Sequence, residues 1–196
     1  MKIKVQITGE KPILIQSDRL ADPLDPIARE KTSLSKHRDK KTDEYQEKIG
    51  KLEWFGALYL DEEGRPQVAI PCDNIVRALR DAAAKFKLGE TVRREIVVSP
   101  DLIPFEYDGP RDLEKLYADP RFRLRKTVAQ GKVRVVRVRP RLPVWSLAFE
   151  ISITGAATLR PDEVRKFLEA AGMVGIGTWR PRYGHFSVER FNVSKS

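Results

Sequence analysis

Six segments with clear hydrophobic periodicity follow one another along the chain. Four alternate polar and apolar residues with the period of two typical of a half-buried strand, and two carry the apolar stripe of an amphipathic helix. In chain order the segments are β (1–8), α (73–87), β (132–139), β (147–153), α (161–171) and β (185–191). The order β-α-β-β-α-β is that of a split βαβ domain, so we predict an α+β fold of the ferredoxin-like (RRM-like) type.

Both helices have residues typical of helix ends. Asp73 can cap the first helix, and Gly89 stands where the residue after a helix C-terminus belongs. Pro161 begins the second helix and Gly172 is predicted to end it. The apolar stripe of the first helix consists of Ile75, Leu79, Ala82 and Phe86.

The remaining sequence is interpreted as two insertions in a single domain that covers residues 1–196. The segment 17–60 is largely polar and basic, and we expect it to be partly mobile. Thr42 is a candidate N-cap for a helix inside it. The segment 99–131 carries several prolines and turn signals, so a loop-rich insertion with little regular structure is expected.

Composition narrows the class of protein. Lys and Arg number 37 against 28 Asp and Glu, and the net charge of +9 favours a polyanionic partner. One cysteine and two histidines exclude a disulfide scaffold and a closed zinc site, and we expect neither metal nor cofactor. No apolar run approaches the roughly 18 residues needed to span a bilayer, so we expect a soluble, cytoplasmic protein without a membrane partner.

The strand at 132–139 is strongly basic. Its alternation changes phase at the adjacent residues Val135 and Val136. A single β-bulge there would place the four valines on one face and all the cations on the other. The predicted cationic face, a candidate nucleic-acid-binding surface, consists of Lys132, Arg134, Arg137 and Arg139.

The sequence GIGTWRPRYGHF, between the second helix and the last strand, combines three features of a single-strand-binding surface. Glycines allow close backbone approach, aromatic rings can stack on bases, and guanidinium groups bind phosphates. The alternative is a structural connection whose aromatic side chains cover the core. The position after a helix excludes a dinucleotide-binding fingerprint. The candidate binding residues are Gly175, Gly177, Trp179, Arg180, Arg182 and Tyr183.

This loop resembles the glycine-rich loop of the RAMP superfamily, the ferredoxin-like proteins of CRISPR effector backbones and crRNA-processing enzymes. The segment 70–80, IPCDNIVRALR, is similar to the entry to the first helix in backbone subunits of that family. Cys72 and Asp73 stand where the family has Gly-Ser, and the loop ends in Gly-His-Phe. The chain also resembles phage and prophage proteins with a similar C-terminal loop.

The resemblance implies that the glycine-rich loop contacts a guide RNA or another single strand. Arg77 and Arg80 would then lie near the same RNA, although pairing of Arg77 with Asp81 on one helix face is the simpler alternative. It also implies a homo-oligomer or a subunit of a ribonucleoprotein, either a CRISPR-like antiviral defence complex or a phage assembly. We therefore predict a protein that binds single-stranded RNA or DNA, with RNA favoured.

Two other classes of function stay open. Some RAMP subunits cut RNA with a metal-bound Asp after the first strand, where Asp22 and Asp25 lie, although Asp-Pro is also an ordinary turn signal. His37 is a candidate acid–base group, with a solvated side chain as the alternative. The third class is a phage-encoded structural or interaction protein of a replication or defence complex, whose basic face meets an acidic partner. No catalytic activity is expected.

Overall fold

A computed structural model of the chain describes residues 1–36, 42–131, 133–154 and 158–194. The chain divides into two compact units that are interleaved along the sequence. The first unit comprises Met1–Ile13, Ala69–Asp108 and Pro143–Ser196, and the second unit comprises Leu14–Val68 and Gly109–Leu142.

The described residues form both helices and strands. The helices are α1 (Pro26–Ser35), α2 (Asp43–Phe55), α3 (Cys72–Ala84), α4 (Gly89–Glu95), α5 (Leu113–Ala118) and α6 (Pro161–Val174), with 3-10 turns at Arg19–Ala21 and Pro120–Phe122. The strands are β1 (Lys2–Gly9), β2 (Ile13–Leu14), β3 (Tyr59–Leu60), β4 (Pro66–Gln67), β5 (Ala69–Pro71), β6 (Ile96–Ser99), β7 (Leu102–Pro104), β8 (Glu106–Tyr107), β9 (Arg123–Gln130), β10 (Val133–Leu142), β11 (Trp145–Ile153) and β12 (Phe186–Ser194). Among the described residues, no helix combines the length and the apolar composition needed to cross a membrane.

The sheet of the first unit has the strand order β12-β1-β11-β6, and its neighbouring strands are antiparallel. The chain runs from β1 through α3 to β6, and from β11 through α6 to β12. In both cases one strand of the other pair lies between the two strands that the helix connects. These are two interlocked split βαβ arrangements, which confirms the predicted α+β, ferredoxin-like fold class.

One strand of that fold was assigned wrongly from the sequence. The strand after the first helix is β6, which pairs with β11 from Glu150 opposite Ser99 to Ile153 opposite Ile96. The predicted strand 132–139 falls in β10, which belongs to the second unit and pairs with β9. Because β9 and β10 are separated only by a turn containing Gly131, their pairing requires closing a very short loop, which costs little entropy.

The first unit buries the apolar residues that periodicity predicts, with differences at the helix ends. Phe86 is 62% exposed, because α3 ends at Ala84. Gly89 begins α4 instead of ending α3, and α6 continues past Gly172 to Val174. The buried core of this unit includes Ile3, Val5, Ile7, Ile75, Leu79, Leu147, Phe149, Ile151, Val164, Phe167 and Leu168.

The second unit contains all of the predicted insertion 17–60. Thr42 caps α2 as predicted, since its side chain accepts a hydrogen bond from the backbone N–H of Tyr45. Trp54 of α2 is fully buried, and its indole N–H donates to the carbonyl of Phe122 at 3.0 Å. The predicted loop-rich segment 99–131 contains β7, β8, α5 and β9. The mobility expected of 17–60 stays a prediction.

Candidate nucleic-acid interface

The glycine-rich loop, residues 175–185, connects α6 to β12 by folding back on itself. The N–H of Ile176 donates to the carbonyl of Gly184 at 3.0 Å, which joins the two limbs of the loop. A Cβ atom on Gly175 would lie 2.5 Å from the carbonyl oxygen of Tyr183, and one on Gly184 would overlap that of Ile176. Both glycines have φ near +80°, at +88° and +76°. They are therefore required by the loop's own close packing.

The loop presents two aromatic rings of intermediate exposure. The ring centroids of Trp179 and Tyr183 lie 6.3 Å apart, with an interplanar angle of 55°. The side chain that the loop buries in the core is Ile176, at 1% exposure. Since both rings are only partly covered, parts of their surfaces are accessible to solvent. Trp179 also has φ of +58°, and Gly177 has φ of +77°.

The two arginines of the loop contact a backbone carbonyl and an aromatic ring. Arg180 donates a long hydrogen bond of 3.5 Å to the carbonyl of Gly175, and Arg182 lies over the ring of Tyr183 at 5.8 Å. Within the part of the chain that the structure describes, neither arginine has an acidic side chain within ion-pair distance. His185 is held by the carbonyl of Pro181. The loop therefore carries two guanidinium groups whose charge is not neutralised locally.

A cleft of about 240 Å³ is lined by Arg180 and by α3, the helix that carries Arg77 and Arg80. Its walls are alanines of α3 and α6, and Asp81, Lys85 and Arg180 also line it. Arg80 contacts the Asp81 carboxylate at 3.0 Å and Arg77 contacts it at 4.0 Å. For Arg77, this ion pair is the predicted alternative to a contact with RNA. Since one carboxylate serves both guanidinium groups, Arg77, Arg80 and Asp81 together carry one net positive charge.

The predicted bulge in the basic strand is wrong. β9 and β10 pair in a continuous register from Val133 opposite Gln130 to Pro140 opposite Arg123. Without a bulge, successive side chains alternate between faces, so Arg134 lies on the opposite face from Arg137 and Arg139. The predicted face with all the cations together does not form. Lys132 lies outside the described residues.

Glu53 of α2 explains why two of these arginines point inward. This carboxylate is 1% exposed and contacts Arg137 at 2.6 Å, Lys31 at 2.7 Å and Arg139 at 3.9 Å. It also accepts the backbone N–H of Val138 at 3.0 Å. Arg139 is itself only 6% exposed. Arg139 is therefore a buried counter-ion of Glu53, which the sequence could not reveal because the two residues lie far apart along the chain.

The same contacts set the ionisation of Glu53. Burial alone would raise its pKa, but hydrogen bonds from Lys31, the Val138 N–H and Arg137 outweigh burial and hold the pKa below the ordinary 4.5. For Arg139, burial lowers the pKa of the guanidinium, and the attraction of Glu53 opposes that shift. Glu53 is therefore ionised at neutral pH.

The candidate metal-binding carboxylates take part in local backbone contacts. Asp25 caps α1, accepts the N–H of Ile27 at 2.8 Å and binds Arg19 at 2.8 Å. Asp22 accepts the N–H of Leu24 at 2.8 Å. Across the described ranges, no group of three or more His, Cys, Asp or Glu side chains is placed to hold a metal ion. The third catalytic candidate, His37, lies outside the described residues.

Comparison with known proteins finds a likeness in structure and none in sequence. No protein-family model matches the chain, and neither does any curated protein. Among solved structures, the chain is similar to a chain of the Type III-B Cmr-beta, solved by cryo-electron microscopy bound to cognate target RNA. The TM-score is 0.51 at 15% identity, over 97% of this chain and 59% of that chain. This likeness shows that the two chains share a fold, over little more than half the length of the solved one.

Proposed function

We propose that the protein binds single-stranded nucleic acid, with RNA favoured over DNA, as a subunit of a CRISPR-like or phage ribonucleoprotein. The observation that carries the proposal is the glycine-rich loop, where two partly exposed rings stand beside two guanidinium groups that have no carboxylate partner among the described residues. The solved structure of similar fold is bound to target RNA, which supports the same class of ligand. The resemblance to the RAMP superfamily supports assembly into a larger complex.

The chemistry of the loop fits binding without sequence preference. Stacking of a base on Trp179 or Tyr183 contributes about 1–3 kcal/mol and is available to every base, because every base has a π-face. Arg180 and Arg182 offer planar forks of N–H donors to phosphate oxygens. Arg77 and Arg80 add the one positive charge that Asp81 leaves uncompensated. Backbone recognition of this kind follows a strand of any sequence.

The hairpin formed by β9 and β10 contributes less to the proposed nucleic-acid binding than its many basic residues predict. Arg134 is exposed and is the residue of the predicted cationic face that we assign to strand binding. Arg137 and Arg139 are held by Glu53, so we assign them a structural role. We therefore assign most of the proposed binding affinity to the residues of the glycine-rich loop.

The test is binding of fluorescein-labelled RNA and DNA 20-mers, measured by fluorescence anisotropy at several salt concentrations. Arg180→Ala combined with Arg182→Ala removes two phosphate contacts, so the slope of log affinity against log salt should fall in magnitude by about 1.4. Affinity should fall at least tenfold, and wild-type protein should bind RNA more tightly than DNA.

A matched control separates local contacts from net charge. Arg93→Ala combined with Arg165→Ala removes the same charge from ion pairs with Glu90 and Glu169 in the same unit. This control should change affinity less than twofold. Equal losses in both double variants, or no binding of any strand by the wild type at 50 mM salt, would overturn the proposal.

A further inference from the structure

A second cleft, in the second unit, combines an aromatic ring with two arginines, Arg123 and Arg125, that are not among the predicted binding residues. It measures about 180 Å³ and lies beside the start of the β9–β10 hairpin. Pockets for drug-sized ligands usually measure 300–1,000 Å³, so this open cleft is too small for such a ligand and can hold only part of one nucleotide. Its lining residues are Glu47, Tyr117, Pro120, Arg123, Arg125 and Val138.

The ring of Tyr117 positions Arg123. The guanidinium carbon of Arg123 lies 4.7 Å from the centroid of that ring. Tyr117 is in turn held edge-on against the buried Trp54, with centroids 5.5 Å apart. A guanidinium lying over a ring keeps its in-plane N–H donors directed outward, where they can bind two oxygens of one phosphate. No acidic side chain of the described chain lies within ion-pair distance of Arg123.

Arg125 lies two residues further along β9, on the same face of the strand. Its side chain is 43% exposed, and its contact with Glu47 is long, at 3.8 Å, with Glu47 itself 65% exposed. An exposed pair of this kind contributes little and yields to a better partner. Opposite Arg125, the register places Val138, which lines the cleft together with Pro120 and gives it an apolar side.

We propose that this cleft binds one nucleotide of a single strand, with its phosphate on Arg123 and Arg125 and its base against the apolar side formed by Pro120 and Val138. The inference rests on the proposed function and adds a contact point in the second unit. It moves the binding role of the hairpin from Arg137 and Arg139, which face Glu53, to the arginines of the neighbouring strand. A free nucleotide has the same chemistry as a nucleotide within a strand, so the experiment has to distinguish these two sources.

The experiment measures anisotropy with the RNA 20-mer and, separately, titration calorimetry with uridine monophosphate. Arg123→Ala combined with Arg125→Ala should weaken RNA binding at least fivefold and lower the magnitude of the salt slope by about 1.4. The matched control, Arg29→Ala with Lys48→Ala, removes two positive charges from the same unit and should change affinity less than twofold. The monophosphate should bind more than a hundredfold more weakly than the 20-mer.

Conservative variants separate a built site from general charge. Arg123→Lys keeps the charge but loses the planar fork, so affinity should fall about threefold while the salt slope stays unchanged. Tyr117→Phe keeps the ring and should bind like the wild type, whereas Tyr117→Leu should bind about as weakly as Arg123→Lys. Melting temperatures within 3 °C of the wild type confirm that each variant is folded, and Arg123→Lys serves as the second route if the double alanine variant does not fold.

Three outcomes would overturn the inference in distinguishable ways. RNA affinity of the Arg123/Arg125 variant equal to that of its control, with the Arg180/Arg182 variant still weakened, would remove the cleft and leave the proposed function standing. Monophosphate binding as tight as that of the 20-mer would assign the cleft to a free nucleotide. No binding of any strand by the wild type would overturn both proposals.

Discussion

Two regions of the molecule are rich in arginine, and their arginines differ in the groups that they contact. In the glycine-rich loop of the first unit, Arg180 and Arg182 contact no carboxylate of the described chain, whereas the hairpin of the second unit directs Arg137 and Arg139 to the buried Glu53. A surplus of positive charge therefore does not by itself mark a binding surface. What decides is whether each cation already has a counter-ion within the chain.

The largest expected effect on stability comes from removing Glu53, the counter-ion of Arg137 and Arg139 in the hairpin. Glu53→Gln leaves Arg139 buried without its carboxylate, which should lower the free energy of unfolding by about 3–5 kcal/mol. Urea denaturation followed by circular dichroism measures the loss. Glu30→Gln, a 51% exposed carboxylate with a 3.7 Å contact to Lys48, is the control and should change stability by less than about 0.5 kcal/mol. If Glu53→Gln leaves the free energy of unfolding unchanged, the arginines of the hairpin do not depend on Glu53 and the contrast between the two regions is wrong.

The same residue predicts a dependence on pH. The pKa of Glu53 is lower in the folded protein than its ordinary 4.5, because hydrogen bonds outweigh burial. Its contribution to stability is therefore complete above pH 4.5 and is lost as the pH falls through the lower, folded-state pKa. The difference in stability between wild type and Glu53→Gln should be constant near neutrality and shrink below pH 4.5. A difference that grows with acidity would contradict the assignment.

A smaller effect is expected on the loop side. Gly184→Ala places a methyl group against the carbonyl of Ile176 at a positive φ, so stability should fall by about 2–3 kcal/mol, with weaker RNA binding. Gly64→Ala is the matched control, since Gly64 has a φ of +77° and nothing within 4 Å of its Cβ position. It should cost about 1 kcal/mol from backbone strain alone. Equal losses on thermal melting would show that close packing of the loop limbs has no additional effect.

The smallest expected effect concerns the carboxylate between Arg77 and Arg80. Asp81→Asn frees both guanidinium groups, so RNA affinity should rise about twofold, and stability should change by less than about 1 kcal/mol because the pairs are exposed. Anisotropy at 50 mM salt measures the gain. Asp162→Asn, which removes an exposed partner of Arg160, should leave affinity unchanged. A loss of affinity in Asp81→Asn would argue against a role of this helix in binding.

Local pattern predicted most of the first unit. Period-2 and helical stripes located β1, β11, α3, α6 and β12 to within a few residues, because those elements bury one face each. β6 was missed since Ile96–Ser99 is short and carries little alternation of its own.

The site was less predictable than the fold. The loop composition identified its aromatic and basic residues, but the reason for Gly175 and Gly184 lies in limbs that meet only in three dimensions. Pairing of Glu53 with Arg139 joins residues far apart in sequence, and no local pattern reports such a contact. The sequence RFRLRK, which contains Arg123 and Arg125 of β9, alternates basic and apolar residues as a strand does. The turn residues just before it favour a loop, so the sequence does not predict this strand.

The position of β1 in its sheet has a consequence for how the chain is made. β1 lies between β11 and β12, and more than a hundred residues separate its last residue from the first of β11. At about 5–20 residues per second, a ribosome needs roughly 7–27 s to bridge that interval. Throughout it, the edges of β1 lack their partners in the final sheet. During synthesis, β1 is therefore exposed with an unpaired apolar face. We expect mutations that slow elongation or strand pairing to increase aggregation during expression before they affect the folded protein.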